Sequence, residues 1–135
     1  MLESKFVWIT PEGKGIVGSL DENGLLTFAV EAGPTSSVRG TELFNRMMRH
    51  FEQEVRAIQG VWRKSHQGRQ SANIDKVNEL TRQGMLLEDA ILRAWTVTRA
   101  MKWGFNQVHV IGLTEGIPGA YTKIDVLIEK QSHEI

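Results

Sequence analysis

Asn23-Gly24 stands between a short, weak strand-like segment and one whose apolar residues alternate, and this turn constrains the N-terminal third of the chain more than any other feature. Asn-Gly supplies the positive φ angles that a tight hairpin turn needs. The turn Asp21-Glu22-Asn23-Gly24 therefore predicts that Gly15 to Leu20 and Leu25 to Glu31 are antiparallel strands, with Leu26, Phe28 and Val30 on one face. Upstream, Lys5 to Thr10 alternates and is rich in β formers (Phe6, Val7, Trp8, Ile9), and Pro11-Glu12-Gly13 reads as a turn. The expectation is an N-terminal three-stranded meander.

Gly33-Pro34 stops that pattern, and Thr35-Ser36-Ser37 forms a polar lead into Gly40-Thr41. Thr41 is a fitting helix N-cap. Leu43, Phe44, Met47, Met48, Phe51, Val55 and Ile58 then recur at helical spacing, which predicts one helix running to a stop at Gly60. Arg63 to Gln70 is polar and reads as a loop. Asn73 caps a predicted second helix carrying Ile74, Val77 and Leu80, ended by Gly84. A third helix is expected from Leu87 to Trp103, with Glu88 and Asp89 in its first turn, where the helix dipole favours acids. Its inner stripe is Ala90, Ile91, Ala94, Trp95, Thr98 and Met101, and Gly104 ends it.

Gln107 to Ile111 and Tyr121 to Glu129 read as two more strands, joined through Gly116, Pro118 and Gly119 as an antiparallel hairpin. Val108 and Val110 would share a face with Ile124, Val126 and Ile128. The fold class that follows is α+β: an antiparallel sheet from the N- and C-terminal strands, packed on about three central helices. At 135 residues the expectation is a single globular domain over residues 1–135.

Composition narrows the chemistry. With no cysteine there is no disulfide, thiolate metal site or cysteine nucleophile. Four scattered histidines lack metal-ligand spacing, so no metal is expected. No HExxH, Walker, GxSxG or dinucleotide fingerprint is present, so no cofactor is expected. No apolar run is long enough for a membrane span, and the expectation is a soluble chain with no membrane insertion. Lys plus Arg equals Asp plus Glu, 16 each, which argues against coating nucleic acid by net charge. The distribution is uneven, however: seven Lys and Arg stand against three Glu between Arg39 and Arg69.

Three constellations could carry chemistry. The first is the sheet face opposite the core, where alternation places His109 with Tyr121, Lys123 and Asp125. Histidine to move a proton, lysine to stabilise phosphate charge and tyrosine to stack or donate make up the kit of a metal-independent ribonuclease. An ordinary solvated sheet face explains the same residues. The second is the predicted first helix, whose polar side carries Arg46, Arg49 and Arg56, with His50 at the border and Arg39 just before it. This is a phosphate-binding pattern, or a solvated helix face with local ion pairs. The third is Trp62 beside the basic stretch Arg63 to Arg69, which suits stacking on a nucleotide or a surface loop pinned by one buried tryptophan.

The strings RGTELFNRMMRHF, VRAIQGVW, NIDKVNELTRQGMLLEDAI and AWTVTRAMKWGFNQVHV, over roughly the last two thirds of the chain, resemble C-terminal domains of bacterial polymorphic toxins. These are the variable tips of Rhs-type and filamentous contact-dependent delivery proteins. The resemblance implies an interbacterial effector of bacterial origin. It would be secreted or delivered as part of a larger protein, act in the target-cell cytoplasm and be neutralised by a cognate immunity protein. His50, Arg56, Trp62, Asn73 and Asn78 are the polar and aromatic positions inside it. The leading expectation is a metal-independent ribonuclease acting on RNA, with either His109, Lys123 and Tyr121 or His50 and its arginines as the site. The alternatives are a non-catalytic binding or adaptor domain, and an NAD-consuming or ADP-ribosylating toxin.

Overall fold

A computed structural model describes residues 4–9, 11, 15–31, 40–64 and 72–130. The fold is α+β with predominantly antiparallel strand pairing, and the chain divides into two compact units, Met1–Ile58 and Gln59–Ile135.

In the first unit, β1 (Ser4–Ile9), β2 (Gly15–Leu20) and β3 (Leu25–Glu31) form the meander that the Asn23-Gly24 turn predicts. Asp21 accepts the amide N–H groups of Asn23 and Leu25 on its carboxylate, which closes the turn from within. Gly24 has φ +83°, and a Cβ there would lie 2.7 Å from Arg56 Cγ, so both the backbone and its neighbour require glycine.

α1 (Gly40–Phe51) packs Leu43, Phe44, Met47, Met48 and Phe51 into the core with Ile16, Leu20 and Leu26. The helix stops well short of Gly60. Glu52 takes φ 45°, a single 3-10 turn follows over Glu52–Glu54, and the chain leaves as β4 (Ala57–Arg63). The expected continuation through Val55 and Ile58 is thus corrected. Both residues are buried, but Ile58 and Trp62 are buried at strand alternation, and β4 opens by pairing parallel with β3 at Leu25 and Leu26. A short apolar run satisfies both periods, and strand pairing decides.

In the second unit, β6 (Lys123–Lys130) lies between β4 and β5 (Phe105–Glu115), and β5 and β6 make the expected antiparallel hairpin. Ile124, Val126 and Ile128 are fully buried, whereas Val110, opposite Val126 at the sheet edge, is exposed. Arg63, expected to open a loop, is the last residue of β4, and residues 65–70 of that predicted loop lie outside the described residues. Gly60 is needed for close approach: a Cβ there would meet Trp62 Nε1 at 2.6 Å and Val126 Cγ2 at 3.2 Å.

α2 (Ala72–Arg82) buries Ile74, Val77 and Leu80 as expected. The single helix expected over Leu87 to Trp103 is two helices, α3 (Leu87–Ile91) and α4 (Trp95–Met101), separated by an extended Ala94 with ψ 153°. Ala94 has no side chain to cap α4. Asn73 supplies the cap from α2 instead, accepting the Thr96 N–H at 2.8 Å and donating to Thr96 Oγ1 at 2.9 Å. Asn73 therefore lies inside one helix and caps another, where the sequence predicted that it caps its own.

Candidate functional site

Two of the expected site residues meet on one surface, built from α1 and β1. Strand alternation turns Phe6 and Trp8 to the same side of β1, about 6.6 Å apart along the strand. Helical spacing sets Arg46 and His50 one turn apart, a rise of about 6 Å. The two repeats match, and the side chains pair off. The Arg46 guanidinium carbon sits over the Trp8 ring, 4.8 Å from its centroid. The His50 ring lies 4.9 Å from that of Phe6, tilted by 38°, and 4.9 Å from that of Phe51.

Arg46 is also held by Glu42, its i−4 neighbour, at 3.0 Å. The guanidinium is thus fixed from two directions with one face on an indole. Arg46, Arg49 and His50 are all exposed, while Phe6 and Trp8 are half-buried. The outcome is a short strip in which cations alternate with aromatic rings, suited to phosphate contact combined with base stacking. Arg56 lies apart from the helix. It follows the 3-10 turn, donates its backbone N–H to Gly24 at 2.8 Å and packs its stem beside that glycine. Arg39 lies outside the described residues.

The second expected constellation does not assemble. His109 pairs across the sheet with Leu127, four residues from Lys123, a separation of about 13 Å along β6. That exceeds the reach needed to act on one phosphate. His109 Nε2 is instead 3.2 Å from a Glu129 carboxylate oxygen, and Lys123 Nζ is 3.8 Å from Asp125. Tyr121 precedes the strand, where alternation no longer governs its direction, and its side chain is buried at 8% exposure. Trp62 is likewise buried, with its indole beside Gly60 in β4, and the basic stretch that follows Lys64 lies outside the described residues.

A third place was not legible as a site. One face of α2 grips the connection that leads into β6. Asn78 is buried and makes two bonds to the backbone of Tyr121: it accepts the Tyr121 N–H at 2.7 Å and donates to the Tyr121 carbonyl at 3.0 Å. Thr81 Oγ1 accepts the Gly119 N–H at 2.8 Å, and Arg82 donates to the Gly119 carbonyl at 2.8 Å. Lys64 pairs with Asp75. All of these residues but Thr81 line an open cleft of about 460 Å³. The available signal was two polar residues, Asn78 and Thr81, at positions adjoining the buried stripe of Ile74 and Val77. Polar groups on an apolar face need dedicated partners.

Among the described residues no group of three or more His, Asp or Glu side chains could hold a metal ion, and no helix is long and apolar enough to cross a membrane. Comparison of the chain with family models, curated proteins and solved structures found no match.

Proposed function

We propose that the first unit binds single-stranded RNA along the α1–β1 strip, and that the chain is an effector domain of the bacterial toxin type cleaving that RNA without a metal. The observation that carries this reading is the paired seating of Arg46 on Trp8 and His50 on Phe6. Histidine is the side-chain type suited to exchanging a proton near neutral pH. Arginine with its plane on an aromatic ring keeps N–H groups free for phosphate oxygens. One helical turn between them places a proton acceptor and a charge stabiliser within the span of one phosphodiester.

In the reaction, His50 takes the proton of a ribose 2′-hydroxyl as the 2′-oxygen attacks the adjacent phosphorus. The bond to the 5′-oxygen breaks, that oxygen takes a proton from water while His50 returns the one it accepted to the solvent, and a 2′,3′-cyclic phosphate remains. Arg46 neutralises the charge that builds on the non-bridging oxygens. An effector of this kind acts on a target cell, and the cell that makes it requires an immunity protein.

One observation favours a second reading. His50 makes ring contacts and no ion pair among the described residues, so no described carboxylate orients it. The strip would then bind RNA without cleaving it, as an adaptor.

Expression in a bacterial host under a tight promoter separates the readings, with purified protein tested on labelled RNA in chelator. Cleavage and growth arrest that vanish in a folded His50→Ala variant support the ribonuclease. RNA binding lost in Arg46→Ala, with no cleavage by wild type, supports the adaptor. RNA neither bound nor cut sinks both, and NAD depletion in arrested cells would point to a dinucleotide-consuming toxin instead.

A further inference from the structure

The cleft beside α2 belongs to the second unit and has no part in the RNA reading. Its most telling property is that its shape is fixed in advance. Three side chains of α2, Asn78, Thr81 and Arg82, hold the backbone of Gly119 and Tyr121 through four hydrogen bonds, each between 2.7 and 3.0 Å. Both cations on its wall are also held in place. Arg82 is tethered through one terminal nitrogen to the Gly119 carbonyl, and Lys64 through its ammonium to Asp75. Ordering these long side chains is therefore already accomplished before any ligand arrives, which is the main entropic cost of gripping an anion with Lys or Arg.

The chemistry of the lining is specific. Two cations face one carboxylate, so an anion is favoured. Arg82 makes no other bond among the described residues, and the fork of its guanidinium remains available for the bidentate geometry that phosphate offers. Asp75 lies seven residues before Arg82 on α2, a rise of about 10 Å, and its carboxylate can accept a hydroxyl or amino group at the far end. The ligand must therefore carry an anionic head and a hydrogen-bond donor about 10 Å away. A cleft of about 460 Å³ falls within the ordinary range for small molecules.

We propose that this cleft binds a nucleoside monophosphate, with the phosphate on Arg82 and the polar end of the nucleoside toward Asp75 and Lys64. Inorganic phosphate shares the head-group chemistry but cannot reach Asp75. A nucleoside shares the far contact but lacks the charge.

The test is titration of the isotopically labelled full chain with AMP, with adenosine and with inorganic phosphate, following backbone amides by NMR. AMP should shift the amides of Gly119 to Thr122 with a Kd below about 1 mM, the weak end of functional small-molecule sites. Adenosine and phosphate should each bind at least tenfold more weakly. Arg82→Gln should weaken AMP at least tenfold. Asp75→Asn should weaken AMP several-fold relative to phosphate, since it removes the far acceptor and not the phosphate contact on Arg82. AMP that shifts none of these amides at millimolar concentration overturns the proposal, whether or not Arg82→Gln folds. Phosphate binding as tightly as AMP overturns the nucleotide assignment.

Discussion

Replacing Asn78 by alanine deletes two hydrogen bonds and leaves a buried N–H and a buried carbonyl of Tyr121 without partners. A buried polar group left unsatisfied costs about 1–3 kcal/mol. With some relief from entering water, the pair comes to about 3 kcal/mol. Unfolding entropy near the melting temperature is about 2.1 cal/mol/K per residue, so a 135-residue chain shifts its Tm by ~3.5 °C per kcal/mol. Asn78→Ala should therefore melt about 10 °C below wild type, and further below if the second unit melts alone. Glu79→Ala, an exposed neighbour on the same helix, is the control and should stay within about 0.5 kcal/mol. Circular dichroism melts read the shift, and the amide resonances of Gly119 and Tyr121 report whether the connection has come loose. A drop of less than about 3 °C would refute the reasoning, because it would mean that these backbone groups find equivalent partners without Asn78.

Other expectations concern different parts of the molecule. Gly60→Ala drives a methyl group into the Trp62 indole and Val126, and should cost about 1–3 kcal/mol with a shift in tryptophan fluorescence. Asn73→Ala removes the borrowed cap of α4 and should cost about 1 kcal/mol, read by urea denaturation. Arg46→Lys keeps the charge but loses the planar contact with Trp8, so RNA affinity should fall by at least half the loss seen for Arg46→Ala. Binding of RNA through Arg46 and Arg49 should show a log–log salt slope of about −1.4; a slope near zero would remove the electrostatic basis of the proposed surface.

Local signals in the sequence carried much of this fold. The meander was readable because Asn23-Gly24 and strand alternation agree, and α2 because its buried residues keep one helical period. The end of α1 was not, since Val55 and Ile58 continue the helical spacing while the chain turns at Glu52. Nothing local forbids a helix there; the parallel pairing of β4 with Leu25 and Leu26 overrides it. The break between α3 and α4 was hidden for a similar reason, because what stabilises the new helix start is Asn73, 23 residues upstream of Thr96.

The candidate surface was half legible. Helical spacing put Arg46 and His50 on one edge of α1, but their seating on Trp8 and Phe6 is a tertiary match between two periods. Grouping Tyr121 with His109 and Lys123 extended the strand two residues past its start, where the backbone answers to Asn78 instead.

The grip of α2 on the connection before β6 also bears on the order in which the second unit is built. β5 and β6 are joined by a short connection and close by local zipping, an event of about 1–10 μs for a hairpin. The Asn78 bonds bridge residues 43 apart in the chain. Closing a loop of that length costs several times RT before any contact repays it. The hairpin should accordingly be present in the folding transition state while the connection still moves freely, and Asn78 should show a φ-value near zero. Substitutions at Asn78 would then speed unfolding and leave the refolding rate almost unchanged.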